Sequence, residues 1–557
     1  MGLYTEGAPR PRWNFLVLLT VPVALFGSQR VASFTAHMWH NSASFLVPYY
    51  VWLIALALPA MYLQLRLGGT TGQGMLGIFS RHASLLKGLA LACFIRMFIL
   101  ITALSSTSSL CVYYMFASLH NPYQWLPDPN RNNTNAAYYN MTPDVYFKKD
   151  VVQLSGGISD EGGFPWYLPL CLLAVFFVIF LMVCGNSRWF GWALFSGGFV
   201  AIILCTALLA YGREELKHGR PETHLYAASR EKLVTATSKD NEPYKLVHLW
   251  MEGVVYVSRL TVIWYGIFPT IGQNAGPGAG RSVLALAAMM LGLSLLPHLF
   301  VNTMATYLFA LVEEKGFTIT DKTMEDRHVL FVVMPTVFAK LDLGRGLAFI
   351  FYFFLALLNI LQQGLYMFVI LQNLAPSTIR SDTKYRAANY FARALFLCVV
   401  TYLLTLPQVT QGGLYLTDLV VYSVDRLFFA IVFLTLLVFI VAFAKNKFST
   451  GEKLLVCFFV FIGGVATAGI LAFYEHFEKE VQPIKGTGRG GVPYTYPEWA
   501  YILHWFIAGS PLLVGLVLGM LHSIGKRRCC DGTPHQADDS GAEFDYDSFR
   551  KEKMPHE

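Results

Sequence analysis

The side chains able to do chemistry lie where a membrane-spanning helix should carry none. The first apolar run, residues 14 to 34, reads NFLVLLTVPVALF, turns polar at Gly27, Ser28, Gln29 and Arg30, and resumes as VASF. A sixth run reads VVYVSRLTVIWYGIFPTIG, with Ser258, Arg259 and Thr261 mid-run and Gly266 and Pro269 following. An eighth places Asn359, Gln362 and Gln363 on one helical face inside FFLALLNILQQGLYMFV. A charge at the bilayer centre costs roughly 2.5 to 3.5 kcal/mol even on the gentlest scale. Arg30 and Arg259 are therefore expected to face water or an acid such as Glu252 or Asp425. A helix unwound at glycine inside a bundle frees carbonyl and amide groups to hold an ion or a small solute, and that is the chemistry this pattern offers. Each feature also has a plainer explanation: membrane amides bridge neighbouring helices, and arginines snorkel to an interface.

The elements that must position these groups follow from composition. The 557 residues are 55% hydrophobic and 14% charged, with mean hydropathy +0.47, which excludes an ordinary soluble domain and defines an all-α polytopic membrane protein. Runs of ~20 apolar residues predict about twelve spans. They fall near 14–34, 45–67, 88–117, 166–184, 189–211, 248–274, 282–312, 346–375, 390–406, 414–444, 452–475 and 498–524. An even number places both termini on one side. The short loops with Arg81, Lys87, Arg188, Arg281, Lys384, Arg386, Lys445 and Lys447 are basic, which predicts a cytoplasmic position for them and for both termini. The opposite loop 118–165 carries N-x-T sequons at Asn132 and Asn140, the expected glycosylation sites of an outer face at the plasma membrane.

Residues 1–13 have no early apolar stretch, so no cleavable signal is expected before the first span. A net charge of +7 is too small to suggest nucleic acid as a partner. The nine cysteines lie in or beside apolar runs or in the tail, which argues against a disulfide framework and a metal site. His37, His40 and His298 lack nucleophile or metal partners at motif spacing, so an enzyme is not expected.

Six motifs then fall in order along the chain: Arg10-Pro-Arg-Trp13, Phe45-Leu-Val-Pro-Tyr49, Leu67-Gly68, Val332-Val333-Met334-Pro335, Leu406-Pro-Gln-Val-Thr410-Gln-Gly412-Gly413-Leu-Tyr415, and Tyr496-Pro497-Glu498-Trp499-Ala500 with Trp505. Together they resemble the neurotransmitter:sodium symporter family, sodium- and chloride-coupled carriers of amino acids and amines. The resemblance implies a LeuT-type five-plus-five inverted repeat with two additional helices. The N-terminus would be 1–13, the first repeat 14–212, an outer loop and second repeat 213–444, the extra helices 445–524 and the cytoplasmic tail 525–557. It implies a central site between spans one, three, six and eight, alternating access, and a cytoplasmic gate at Arg10 and Trp13.

The departures fall at that site. The family's G-N-x-W-R-F-P-Y run is replaced by Gly27-Ser-Gln-Arg30, and its L-D-S-Q by Leu361-Gln362-Gln363. Leu104 stands near the substrate-site tyrosine, Met290 near a seventh-helix asparagine, Gln64 at a second-helix glutamate and Pro376 at the acid that would answer Arg10. Ser294 remains where a chloride-site serine is expected.

Two expectations follow. One is a divergent secondary-active carrier for a small amino acid or amine-like solute, with altered sodium and chloride sites and no other cofactor. The other is a transport-deficient structural or regulatory membrane protein of the same fold. Substrate, stoichiometry and oligomeric state are not encoded in these patterns.

Overall fold

A computed structural model describes residues 13–83, 85–120, 123–126, 142–160, 162–215, 243–312, 326–341, 343–374, 383–481, 485–487 and 493–530. Arg10, Asn132, Asn140 and the tail after Cys530 lie outside the described residues. The described strands form one antiparallel hairpin, Lys485–Thr487 with Pro493–Thr495.

Span one comprises Phe15–Thr20, the 3-10 turn Val21–Leu25 and the helix Ser28–Asn41, bent by 67° at its break. Span two runs Leu46–Trp52, a π turn Leu53–Ala57 and Leu58–Thr71. Spans three, four and five are Leu86–Ala117, Tyr167–Val183 and Ser187–Glu215. Span six is Pro243–Thr261 followed by Ile267–Ala275. Spans seven, eight and nine are Ala279–Val312, Gly344–Leu374 and Thr383–Thr405, and the last two are Thr450–Val481 and Glu498–Cys530. Eight of these helices are long and apolar enough to cross a membrane unaided, and the bent first pair makes a ninth. Spans four, six and ten are shorter or broken. Spans one and six, five positions apart, are both interrupted, as the five-plus-five order requires.

Span ten differs from the continuous helix expected over 414–444. It is Gly413–Asp425 and Phe428–Lys445, separated by an extended Arg426 and a left-handed Leu427 with φ of 56°. The reason is tertiary. Buried Arg96 of span three donates to the Arg426 carbonyl at 2.6 Å, and the Arg426 guanidinium lies 4.3 Å over the Tyr422 ring. A carbonyl released from a helix within a bundle must find such a partner.

The breaks in spans one and six have local causes. Pro22 lacks an N–H and tightens the end of the first half-helix into a 3-10 turn. In span six Val262 takes φ of 44° and Gly266 φ of 75°, with Ile267 restarting the helix. Positive φ at a β-branched valine costs on the order of 1–3 kcal/mol, and such strain concentrates where function needs it.

Burial sorts the spans. In span eight 89% of the central residues are buried and in span three 72%, against 28% in spans five, eleven and twelve. Spans three and eight therefore form the scaffold core, and the late spans face lipid. Spans two and six approach backbone to backbone: a Cβ on Gly68 would lie 2.0 Å from the Pro269 carbonyl oxygen, and one on Gly272 2.2 Å from that of Leu65. Only glycine admits that contact.

Candidate functional site

Span eight reaches into the break of span one with two amides. Asn359 Oδ1 accepts the Ser28 backbone N–H at 2.7 Å, the first free amide of the second half-helix. Gln362 Nε2 donates to the Leu25 carbonyl at 3.2 Å and to the Tyr366 hydroxyl at 3.3 Å. Gly27 leaves room for the same side chain, since a Cβ there would lie 2.1 Å from Gln362 Oε1 and would push the amide aside. Gln29 Nε2 donates to Thr107 Oγ1 of span three at 3.2 Å, and the Tyr256 hydroxyl of span six donates to the Arg30 carbonyl at 2.9 Å. The break in span six is held alike: Gln64 Nε2 of span two donates to the Ile263 carbonyl at 2.6 Å. Gln363 makes the plainer contact, accepting from Ser105 and donating to Ser108 on span three.

The structure thus brings Gly27, Ser28, Asn359 and Gln362 into one cluster. Two buried oxygens at the two breaks, Ser258 Oγ and Gln362 Oε1, have no hydrogen-bond partner among the described residues. A buried polar atom left unsatisfied costs about 1–3 kcal/mol, a cost that a bound polar solute removes. Thr261 spends its proton on the Val257 carbonyl of its own helix at 2.8 Å.

The two arginines separate. Arg259 sits in the last turn of Pro243–Thr261, where the helix dipole favours a cation. Arg30 sits in the first turn of Ser28–Asn41, the positive end, where a second positive charge is unfavourable. It is half-buried and within electrostatic reach of the Tyr366 hydroxyl, and among the described residues no side chain pairs with its guanidinium. The acid expected for it is engaged elsewhere: Glu252 lies 3.5 Å from His37 and 3.3 Å from His248. The Asp425 side chain lies outside the described residues.

Ser294 is on span seven beside span two, its carbonyl accepting the Tyr50 hydroxyl at 3.1 Å while that hydroxyl also meets His298 Nε2 at 2.6 Å. Trp13 is buried at the N-terminal face. Its backbone N–H donates to the Asn274 carbonyl at 2.9 Å, its indole to the Ser187 carbonyl at 3.0 Å, and its ring stacks 5.9 Å from Phe368. The Asn274 side chain joins Gln372 at 3.0 Å and accepts from Ser187 Oγ, tying spans five, six and eight. On the opposite face Arg327 pairs with Asp418, and Tyr114 and Tyr352 donate to the Phe331 and Leu330 carbonyls.

Sequence reasoning missed Asn274, Gln372 and Ser187, which lie near span ends where polar residues carry no signal. It noted Gln64 only as a departure; a glutamine in an apolar run was the available clue. Among the described residues no three His, Cys, Asp or Glu side chains are placed to hold a metal.

Paired broken spans, five helices apart and clamped by amides around buried polar groups, define a membrane protein of the broken-helix fold class. The model of the Sodium:neurotransmitter symporter family matches residues 31–214 and 279–524, and the chain belongs to that family. The match leaves out 1–30, 215–278 and 525–557, and the first two of these stretches hold Gly27–Arg30 and Ser258–Pro269. Among relatives, the Drosophila melanogaster sodium- and chloride-dependent GABA transporter ine is 25% identical over 504 residues, 84% of this chain and 50% of that protein. The Homo sapiens sodium- and chloride-dependent taurine transporter is 24% identical over 444 residues, covering 74% and 68%. The Mus musculus sodium-dependent neutral amino acid transporter B(0)AT1 is 23% identical over 214 residues, covering 37% and 34%. The chain thus spans half the length of the GABA transporter relative.

Proposed function

We propose that this chain is a secondary-active carrier that moves a small amino-acid-like solute with an acidic group across the plasma membrane by alternating access. One observation carries the reading: at the positive end of a half-helix, the half-buried Arg30 guanidinium has no side-chain hydrogen bond or ion pair among the described residues. An acidic group would pair with it, and Gln362 Oε1 is an acceptor for an ammonium at the other end of such a solute. The named substrates of the relatives, GABA and taurine, are molecules of this kind. Spans one and six are the moving part and spans three and eight the support. Sodium coupling through the break is altered, and Ser294 is the remaining candidate for chloride. The Trp13 face is cytoplasmic and the sequon loop outside.

Uptake into vesicles of GABA, taurine, neutral amino acids and acid-free amines, with and without a sodium gradient, tests this. Acid-bearing solutes should accumulate and acid-free amines should not. If no solute accumulates from correctly inserted protein, the carrier reading fails. The amide clamps, which satisfy the Ser28 N–H and the Leu25 carbonyl without any solute, would then favour a structural or regulatory protein.

The uncharged network of Trp13, Asn274, Gln372 and Ser187 serves as the cytoplasmic gate in this reading. Asn274→Ala removes three hydrogen bonds to the side chains of Gln372 and Ser187, worth about 1 kcal/mol each. The thiol of a Thr270→Cys variant, buried beneath the network, should then react with an impermeant maleimide at least about tenfold faster. An unchanged rate would remove the network from gating.

A further inference from the structure

In broken-helix carriers the carbonyls of an unwound segment bind the coupling cation. The Leu25 carbonyl is such a group, and it already accepts an N–H from Gln362 at 3.2 Å. Asn359 Oδ1, the neighbouring amide oxygen, accepts the Ser28 N–H at 2.7 Å, and Asn359 Nδ2 faces Cys111 Sγ at 3.8 Å. The remaining oxygen, Gln362 Oε1, points at Gly27 so closely that a Cβ there would lie 2.1 Å away. Turning the amide over would set Oε1 against the Leu25 oxygen, two lone-pair atoms face to face, which only a cation between them could relieve. A hard cation needs several oxygens with free lone pairs and favours a carboxylate among them. Here a donor stands at the carbonyl and the amides are neutral. Sodium does not fit this arrangement.

Resting on the carrier reading, we propose that Gln362 is a fixed replacement for a coupling cation between spans one and eight. Its Nε2–H supplies to the Leu25 carbonyl the positive end that an ion would supply, and Asn359 holds the opposite side of the break. The link between moving span and support then persists without sodium. Opening the site breaks two neutral hydrogen bonds and releases no ion there. This step is insensitive to the sodium gradient, and Gln362 is the residue that makes it so.

The test is the melting temperature of the purified full chain in detergent, in NaCl and in choline chloride at equal ionic strength. Gln362→Glu places a carboxylate where the N–H stood, which should create a sodium-dependent stabilisation of at least about 2 °C beyond that of the native chain. Asn359→Asp keeps the acceptor for Ser28 while adding charge at the same place, and it decides the question if Gln362→Glu does not fold. The proposal is overturned if neither variant responds to sodium more than the native chain. It is equally overturned if the native chain is stabilised by sodium and Gln362→Met loses that response, since Gln362 would then be a ligand. Loss of uptake with this melting pattern intact would overturn the carrier reading and leave the replacement standing.

Discussion

Arg30→Met should lower uptake of acid-bearing solutes at least about 30-fold while leaving the folded yield and melting temperature at or above the native values. The magnitude follows from truncating one partner of a desolvated charge pair, which costs about 2–5 kcal/mol. The stability claim follows from the site. Arg30 lies at the positive end of Ser28–Asn41 and its side chain makes no hydrogen bond or ion pair among the described residues, so its removal relieves repulsion and breaks no such bond. Arg30→Lys keeps the charge but loses the planar fork that grips a carboxylate or sulfonate with two bonds, and it should recover only part of the uptake. Arg259→Met should act differently, because Arg259 complements the dipole at a helix C-terminus and its loss should cost stability first. Native-level uptake by Arg30→Met, or a clear drop in its melting temperature, would show that the guanidinium is structural.

The second large effect is expected at Gly68→Ala, which should abolish accumulation of folded, monodisperse protein. The added methyl group would sit 2.0 Å from the carbonyl oxygen and 2.8 Å from the Cα of Pro269. Both obstacles are backbone, so no side chain can turn aside, and the cost should exceed the ~1–3 kcal/mol of ordinary overpacking. Gly280→Ala is the control. Nothing lies within 4 Å of a Cβ there, and alanine in place of a helical glycine gains up to ~1 kcal/mol. A Gly68→Ala variant that melts with the control would refute the close approach of spans two and six. The distribution of these contacts suits the proposed motion. Spans two and six touch backbone to backbone and must move together, whereas span eight meets the break of span one through side-chain hydrogen bonds that can part.

Much of the fold was legible because lipid imposes a simple rule. Every backbone group in the hydrocarbon must be satisfied within its own segment, so span positions appear as apolar length and interruptions as polar residues or glycine. The breaks at Gly27 and Gly266 were visible for that reason. The break at Arg426 was not, because the groups that draw its carbonyl out of the helix come from span three, 330 positions away. The amides of span eight were visible as a face, but which end of each faces the break depends on the carbonyl or N–H it meets.

Composition and periodicity were enough to determine an all-helical membrane protein with paired interruptions, since hydrophobic length and helix-breaking chemistry are local properties of the chain. The partner of each polar group was decided only in three dimensions. Glu252 went to two histidines, and among the described residues no acid pairs with Arg30. Gln362 turned its N–H to the Leu25 carbonyl, where an ion would otherwise be sought. Hydrogen-bond geometry between remote segments settles such pairings, and no spacing along the chain encodes it.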